Sequence, residues 1–109
     1  MIIKDLPKIS TNKFYSGMHW TKRKKIKDAY KYLIRSVHKG QFLKSKQYEV
    51  EYTFYFKSRP LDATNCSMMV KIIEDVLFED DKHDIITSVT IKSRKGKEDY
   101  VEIKIKELE

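Results

Sequence analysis

Apolar and polar residues alternate strictly along residues 47–57, which read QYEVEYTFYFK. A period of two places every second side chain on the same face of a β-strand, so this segment predicts a strand with one buried face. The apolar face consists of aromatic and β-branched residues, namely Tyr48, Val50, Tyr52, Phe54 and Phe56. Pro60 cannot donate a backbone hydrogen bond to a sheet, so we expect the strand to end before it.

Three further segments have the composition of strands. Residues 1–6 are apolar enough for a short first strand, and residues 85–93 and 99–106 show the same alternation. The last two are joined by a polar stretch that contains Gly96, which predicts a β-hairpin.

Two other segments repeat their apolar residues with the period of an α-helix. The first begins after Thr21, a favourable N-cap residue, and ends near His38, with Gly40 as the stop signal. Its predicted core-facing stripe, with spacings of three and four residues, is Ile26, Ala29, Leu33 and Val37.

The second helical segment spans about residues 66–78, with Thr64 or Asn65 as its cap. Its predicted core-facing residues are Met69, Ile72, Ile73, Val76 and Leu77. The order strand, helix, strand, helix, strand, strand predicts an α+β domain, a mixed sheet of about four strands with two helices on one face. The length of 109 residues suits one such domain.

Composition predicts a cytoplasmic protein. The chain has no run of about 18 apolar residues for a membrane span, and its first residues lack the apolar region of a signal peptide. Its single cysteine, Cys66, cannot form an internal disulfide, which agrees with a reducing compartment.

The net charge is +7, and the charged residues are distributed very unevenly along the chain. Residues 1–61 contain fifteen Lys or Arg against four acids, whereas residues 62–91 contain seven acids against two lysines. An acidic segment within a basic chain predicts a metal-binding centre beside a surface for a polyanion.

The basic part begins with aromatic residues among cations. Phe14, Tyr15, His19 and Trp20 lie close in sequence to Lys13 and to the run of residues 22–25, a mixture that stacks on bases and neutralises phosphates. The cations in the first turn of a helix also favour phosphate binding. The alternatives are aromatic residues that fold back over the core and a basic face that is simply solvated.

The acidic part places three kinds of group in order. Asp62 follows the end of a strand, Lys71 lies on the second helix with Asp75 four residues later, and Asp80 and Asp81 follow the helix. The helix dipole disfavours acids at that end, and a bound cation would reverse this penalty. The alternatives are a surface pair between Lys71 and Asp75 and a solvated acidic turn.

In this order of elements the chain resembles the RusA family of Holliday-junction resolvases, especially phage-borne members. The opening loop of the family is matched by Ser10, Thr11, Asn12, Lys13, Phe14 and Tyr15. Its central motifs are matched by Arg59, Leu61, Asp62 and Asn65, by Lys71, Asp75 and Leu77, and by Asp80 and Asp81. The family's Asp-Leu-Asp-Asn loop reads Asp62, Ala63, Thr64, Asn65 here, with one acid in place of two.

The resemblance implies a metal-dependent endonuclease that resolves four-way DNA by symmetric phosphodiester hydrolysis, acting as a homodimer. Asp62 and Asp81 would be the principal ligands of Mg²⁺, with Mn²⁺ as a substitute ion, and Asp80 and Asn65 would be secondary ligands, directly or through water. The catalytic residues would be Asp62, Lys71 and Asp81, with Lys71 beside the scissile phosphate. The DNA-binding residues would be Asn12, Lys13, Tyr15, Lys22, Arg23, Lys24, Lys25 and Arg59. A phage- or prophage-encoded protein of the bacterial cytoplasm is the expected setting.

Two other functions stay open. One is a DNA-binding relative of the same fold with weakened catalysis, which the missing loop carboxylate favours. The other is a small phage interaction protein whose acidic turn binds a basic partner. The sequence contains no Gly-rich phosphate loop, no Cys/His zinc pattern and no nucleophile elbow to indicate another class of enzyme.

Overall fold

The structure, a computed structural model, describes all 109 residues. The strands are β1 (Ile2–Lys4), β2 (Gln47–Phe56), β3 (Ile86–Lys95) and β4 (Tyr100–Leu108). The helices are α1 (Thr11–Tyr15), α2 (Trp20–Val37) and α3 (Ser67–Leu77), and a 3₁₀ helix, Ala63–Cys66, leads into α3. The predicted α+β domain with a mixed four-stranded sheet is confirmed.

The sheet has the order β1-β4-β2-β3, with β2 parallel to β3 and antiparallel to β4. The predicted hairpin is therefore wrong, because β2 lies between the two strands that were expected to pair. The connection between β3 and β4 crosses the end of β2, where the Gly96 N–H donates to the Phe56 carbonyl at 2.9 Å. Alternation in sequence identifies a strand but not its neighbours, and the most apolar strand buries more surface with a partner on each side.

One face of the sheet carries the hydrophobic core. The predicted apolar face of β2 is confirmed, since each of its five residues is at most 3% exposed. Tyr52 is in register with Ile91 of β3 and Ile103 of β4. Helices α2 and α3 supply the other half of the core, and the opposite face of the sheet is polar, with Glu51 paired to Lys92 at 2.7 Å.

Helix α2 differs from its prediction in its first residue and in its buried face. The helix begins at Trp20, with His19 as N-cap instead of Thr21, and the Thr21 N–H donates to His19 Nδ1 at 3.2 Å. Tyr30 and Ile34 are completely buried, whereas Val37 of the predicted stripe is half exposed. Tyrosine carries a polar group that obscures the pattern, and here the Tyr30 hydroxyl donates to the Pro7 carbonyl.

Helix α1 lies within the segment that was expected to be a loop, and it caps α3. The side chain of Thr11 accepts a hydrogen bond from the Met68 N–H at 3.1 Å and donates one to the Asn65 carbonyl at 3.2 Å. The predicted caps Thr64 and Asn65 instead belong to the 3₁₀ helix. The N-terminus of α3 is thus satisfied by a residue distant in sequence. None of the helices combines the length and apolar composition of a membrane-spanning segment.

Gly17 should resist substitution by alanine because of its backbone conformation. It has a φ of +99° in the turn between α1 and α2, a region that favours glycine. We expect Gly17→Ala to lower the free energy of unfolding by about 1 kcal/mol, measured by urea denaturation. Gly40→Ala is the matched control, because Gly40 also has open space around it but no positive φ. Equal effects of the two changes would contradict this assignment.

Candidate functional site

An ion pair joins α3 to the acidic segment that follows it. The ammonium group of Lys71 bonds to Asp81 Oδ2, and Asp75 Oδ1 lies 3.7 Å from the same nitrogen. The turn presents Asp81 to Lys71 because Asp80 Oδ1 accepts hydrogen bonds from the backbone N–H groups of Asp81 and Lys82, at 2.8 and 3.3 Å. The surface pair of Lys71 with Asp75, one of the alternatives from the sequence, is present, and Asp81 is the closer partner.

The electrostatics of this pair keep Lys71 positively charged. The hydrogen bond to Asp81, together with the nearby Asp75, raises the pKa of the Lys71 ammonium above its ordinary value, although partial burial opposes the shift. About half of the Lys71 side chain is exposed, whereas the Asp81 side chain is 26% exposed. The site therefore presents an accessible cation beside a more enclosed carboxylate.

Glu74 is a functional candidate that the sequence analysis missed. It is only 7% exposed, and the Tyr52 hydroxyl donates to Glu74 Oε2 at 3.2 Å. Burial raises the pKa of Glu74 to about 7, and the negative charge of Asp81 adds to the shift, while the Tyr52 hydrogen bond and Lys71 oppose it. A carboxyl group that titrates near neutral pH thus lies next to the ion pair.

A sequence signal for Glu74 does exist. Val70, Ile73 and Leu77 are buried and lie on one face of α3. Glu74 has the helical spacing that places it on the same face. An acid on the apolar stripe of a helix implies either a buried partner or a shifted pKa. Here both are present, since the partner is Tyr52 on the central strand.

Asp62 lies beside the edge of the sheet. It follows β2 and lines a cavity of about 350 Å³ together with residues of β3 that include Lys92 and Arg94. The Ser93 hydroxyl donates to the Leu61 carbonyl at 2.5 Å, which fastens the Asp62 loop to β3. The Asn65 N–H donates to the Asp62 carbonyl at 2.8 Å, so these two predicted ligands belong to one 3₁₀ turn.

The predicted metal ligands have suitable chemistry, because carboxylate and amide oxygens suit Mg²⁺. Their positions in this structure do not fit a preformed metal centre. Asp81 is bonded to Lys71, Asp80 is engaged by its own turn, and Asp62 lines a cavity with two cations. The structure holds no group of three or more His, Cys, Asp or Glu side chains arranged to bind an ion. The Mg²⁺ site thus stays a prediction.

Some of the predicted DNA-binding residues already have partners within the protein, and others do not. Arg23 donates through Nη2 to the Phe14 carbonyl at 3.0 Å and lies over the Phe14 ring, 5.0 Å from its centroid, so it fastens α1 to α2. Lys24 is paired with Asp28 at 2.9 Å. Lys22 and Lys25 are exposed and form no ion pair, which leaves both free for an anionic ligand.

The other members of the predicted set lie on α1 and beside it. Asn12, Lys13 and Tyr15 are exposed on α1, and exposed Arg59 accepts a hydrogen bond from Lys8 through its carbonyl. The alternative in which the aromatic residues of this region cover the core holds only for Phe14. Its side chain is 3% exposed, whereas Tyr15 and Trp20 are 65% and 68% exposed.

Comparison of the chain with protein-family models, with curated proteins and with solved structures finds no match. The contacts of its own residues therefore carry the functional argument.

Proposed function

We propose that this protein is an endonuclease that hydrolyses phosphodiester bonds in branched DNA. The observation that carries the proposal is the ion pair between Lys71 and Asp81, with Glu74 buried beside it. The exposed basic residues of α1 and α2 add a surface that suits a polyanion. The Thr11 hydrogen bonds fasten α1 to the start of α3, so the basic surface that α1 carries is joined to the helix of Lys71.

The residues of the site suit phosphodiester hydrolysis. The Lys71 ammonium would neutralise a non-bridging oxygen of the scissile phosphate as negative charge develops there. The Asp81 carboxylate, released from Lys71 by the phosphate, would orient the attacking water and accept its proton. As the new P–O bond forms, the bond to the leaving sugar oxygen would break, and that oxygen would take a proton from solvent water. The hydrogen bonds within the Asp80 turn keep Asp81 in place during this exchange.

The cofactor and the assembly belong to the same proposal. Mg²⁺, or Mn²⁺ in its place, is the ion that the resemblance implies, and isothermal titration of wild type and Asp81→Asn tests whether either ion binds. Two symmetric cuts in a four-way junction require two copies of the site, so we propose a homodimer. Light scattering that finds only a monomer bound to junction DNA would contradict the dimer. The proposed setting is the cytoplasm of a bacterial cell.

A DNA-binding protein without efficient cleavage is the second candidate. It is favoured by the present contacts of the candidate ligands, since Asp81 is bonded to Lys71 and Asp62 lines a cavity with Lys92 and Arg94. Tight binding of junction DNA with no cleavage in either metal would select it. The third candidate, a small phage interaction protein, predicts neither DNA binding nor metal binding.

Removal of Lys22 and Lys25 should weaken DNA binding and make it less dependent on salt. Each phosphate contact contributes about −0.9 to the slope of log K against log salt concentration for duplex DNA. We expect Lys22→Ala/Lys25→Ala to make this slope shallower by about one to two units in fluorescence-anisotropy titrations. Lys104→Ala/Lys106→Ala, on the open face of the sheet, is the control with the same change in charge. Equal slopes for the two double variants would show that Lys22 and Lys25 of α2 are not part of the DNA interface.

A further inference from the structure

Two large aromatic side chains project into solvent around one turn. Tyr15 ends α1 and Trp20 begins α2, and each is about two-thirds exposed. Aromatic side chains of this size normally contribute to a core or an interface, because exposure forfeits most of their burial energy. The exposure of two such side chains on either side of one turn makes this turn a candidate for ligand binding.

The fold holds the two aromatic residues in place. Phe14, next to Tyr15, is buried, and Arg23 binds its carbonyl and covers its ring. Gly17, with its positive φ, makes the turn between the two helices. The backbone that carries Tyr15 and Trp20 is thus held by contacts between α1 and α2, which lowers the entropy cost of binding a ligand.

The charge around the two aromatic residues identifies the ligand. Between Asp5 and Asp28 the chain carries seven Lys or Arg and no acid. Among these cations, Lys22 and Lys25 are exposed near Trp20 in sequence and form no ion pair. Planar rings beside free cations suit a ligand that has flat π-faces and regularly spaced negative charges, which are the features of unpaired nucleotides.

We propose that Tyr15 and Trp20 form a stacking platform for unpaired DNA bases, with Lys22 and Lys25 binding the adjacent phosphates. Bases inside a duplex are stacked on each other and present no free face, so the platform selects unpaired or unstacked nucleotides. This inference rests on the proposed function for DNA as the nucleic acid. It adds a reason for preferring branched to linear DNA, since a branch point offers bases whose stacking is interrupted.

Hydrogen bonds also join the helix that carries Tyr15 to the helix of the candidate site. Helix α1, which ends in Tyr15, is bonded through Thr11 to the Asn65 carbonyl and the Met68 N–H. A base stacked on Tyr15 would therefore be held by the element that caps the helix of Lys71.

Trp20 is the only tryptophan of the chain, so its fluorescence reports directly on the platform. We expect a short oligothymidylate and a synthetic four-way junction to quench Trp20 emission, and a linear duplex to quench it much less. Quenching of equal size by linear duplex and single strand would overturn the selectivity for unpaired bases. Unchanged emission at saturating single-stranded DNA, with binding followed by anisotropy of a labelled strand, would overturn the platform.

Substitution tests the same surface without tryptophan emission. Tyr15→Ala and Trp20→Ala should each weaken binding of the oligothymidylate about 10- to 100-fold, the range typical of one stacked base. Tyr32→Ala is the matched control, since Tyr32 is an equally exposed aromatic residue on α2, and it should bind as wild type does. Thermal unfolding of each variant establishes that the fold is kept. Wild-type affinity in both Tyr15→Ala and Trp20→Ala would contradict the proposal.

Cleavage assays separate this inference from the proposed function. A protein that stacks single-stranded DNA on Trp20 but cuts no junction keeps the platform and overturns the endonuclease. A protein that cuts junctions equally well with and without Tyr15 and Trp20 keeps the endonuclease and overturns the platform.

Discussion

Replacement of Asp81 by Asn should slow cleavage of a four-way junction by about 100-fold or more, the usual range for loss of a positioned acid or base. The amide can still accept a hydrogen bond from Lys71, but it cannot take a proton from water at neutral pH. Binding of the junction should change little, because the basic residues of α1 and α2 are untouched. Single-turnover cleavage rates and anisotropy measurements of affinity test both halves of this expectation.

Asp84→Asn is the matched control for that variant. Asp84 lies three residues further along in the same acidic segment, is exposed, and loses the same charge on substitution. It should cleave junctions at the wild-type rate. If Asp81→Asn also cleaves at that rate, Asp81 is not part of the catalytic site. If both variants are equally slow, the general acidity of the segment matters and the ion pair does not.

Glu74→Gln should stabilise the protein at alkaline pH relative to wild type. The pKa of Glu74 is raised from 4.5 to about 7 in the folded protein, so the folded state binds the proton more tightly than the unfolded state. The stability that this provides is complete below about pH 4.5 and is lost as the pH rises through 7. Glutamine stays neutral and does not incur that loss.

The free energy of unfolding should reveal this difference directly. We expect the advantage of Glu74→Gln over wild type to grow by roughly 2 kcal/mol between about pH 5 and about pH 8, since one pKa unit corresponds to about 1.4 kcal/mol. Urea denaturation at several pH values measures it. The control is Glu107→Gln, which makes the same change at an exposed acid on β4 that forms no ion pair. A constant difference between Glu74→Gln and wild type would contradict the buried, shifted carboxyl group.

The sequence predicted those parts of the fold in which local pattern and tertiary environment agree. In β2 each apolar position is buried, and in α3 the apolar stripe faces the core, so periodicity alone was sufficient. The separation of β3 from β4 in the sheet could not be predicted in the same way. Whether two consecutive strands are neighbours depends on the rest of the sheet, and the apolar β2 takes the position between them.

Contacts between residues that are far apart in the sequence also limited the prediction of the candidate site. The sequence placed Lys71 next to Asp75 because helical spacing brings positions i and i+4 together. The closer contact is with Asp81, ten residues away, and it depends on the turn that Asp80 stabilises. In the same way, the cap of α3 comes from Thr11, more than fifty residues earlier. Such contacts arise from the path of the chain and have no local sequence signature.

The exposed fractions of the side chains distinguish aromatic residues near the N-terminus that the sequence could not. Phe14, Tyr15 and Trp20 have similar sequence surroundings, yet Phe14 is buried and the other two are exposed. Phe14 and Tyr15 are successive residues of α1 and therefore lie on different faces of it, whereas Trp20 is the first residue of α2. The sequence therefore predicted an aromatic and basic region, and the fold determined which of its residues a ligand can reach.

The most direct test of the proposed endonuclease is incubation of the wild-type protein with an end-labelled synthetic four-way junction, in the presence of Mg²⁺ or Mn²⁺. A linear duplex of matched sequence and a reaction with a chelator serve as controls. The predicted result is paired nicks at symmetric positions in the junction. No such nicks should appear in the linear duplex or in the reaction with the chelator. An intact junction in both metals, at protein concentrations that bind all of the DNA, would contradict the endonuclease and leave a protein that binds branched DNA without cutting it.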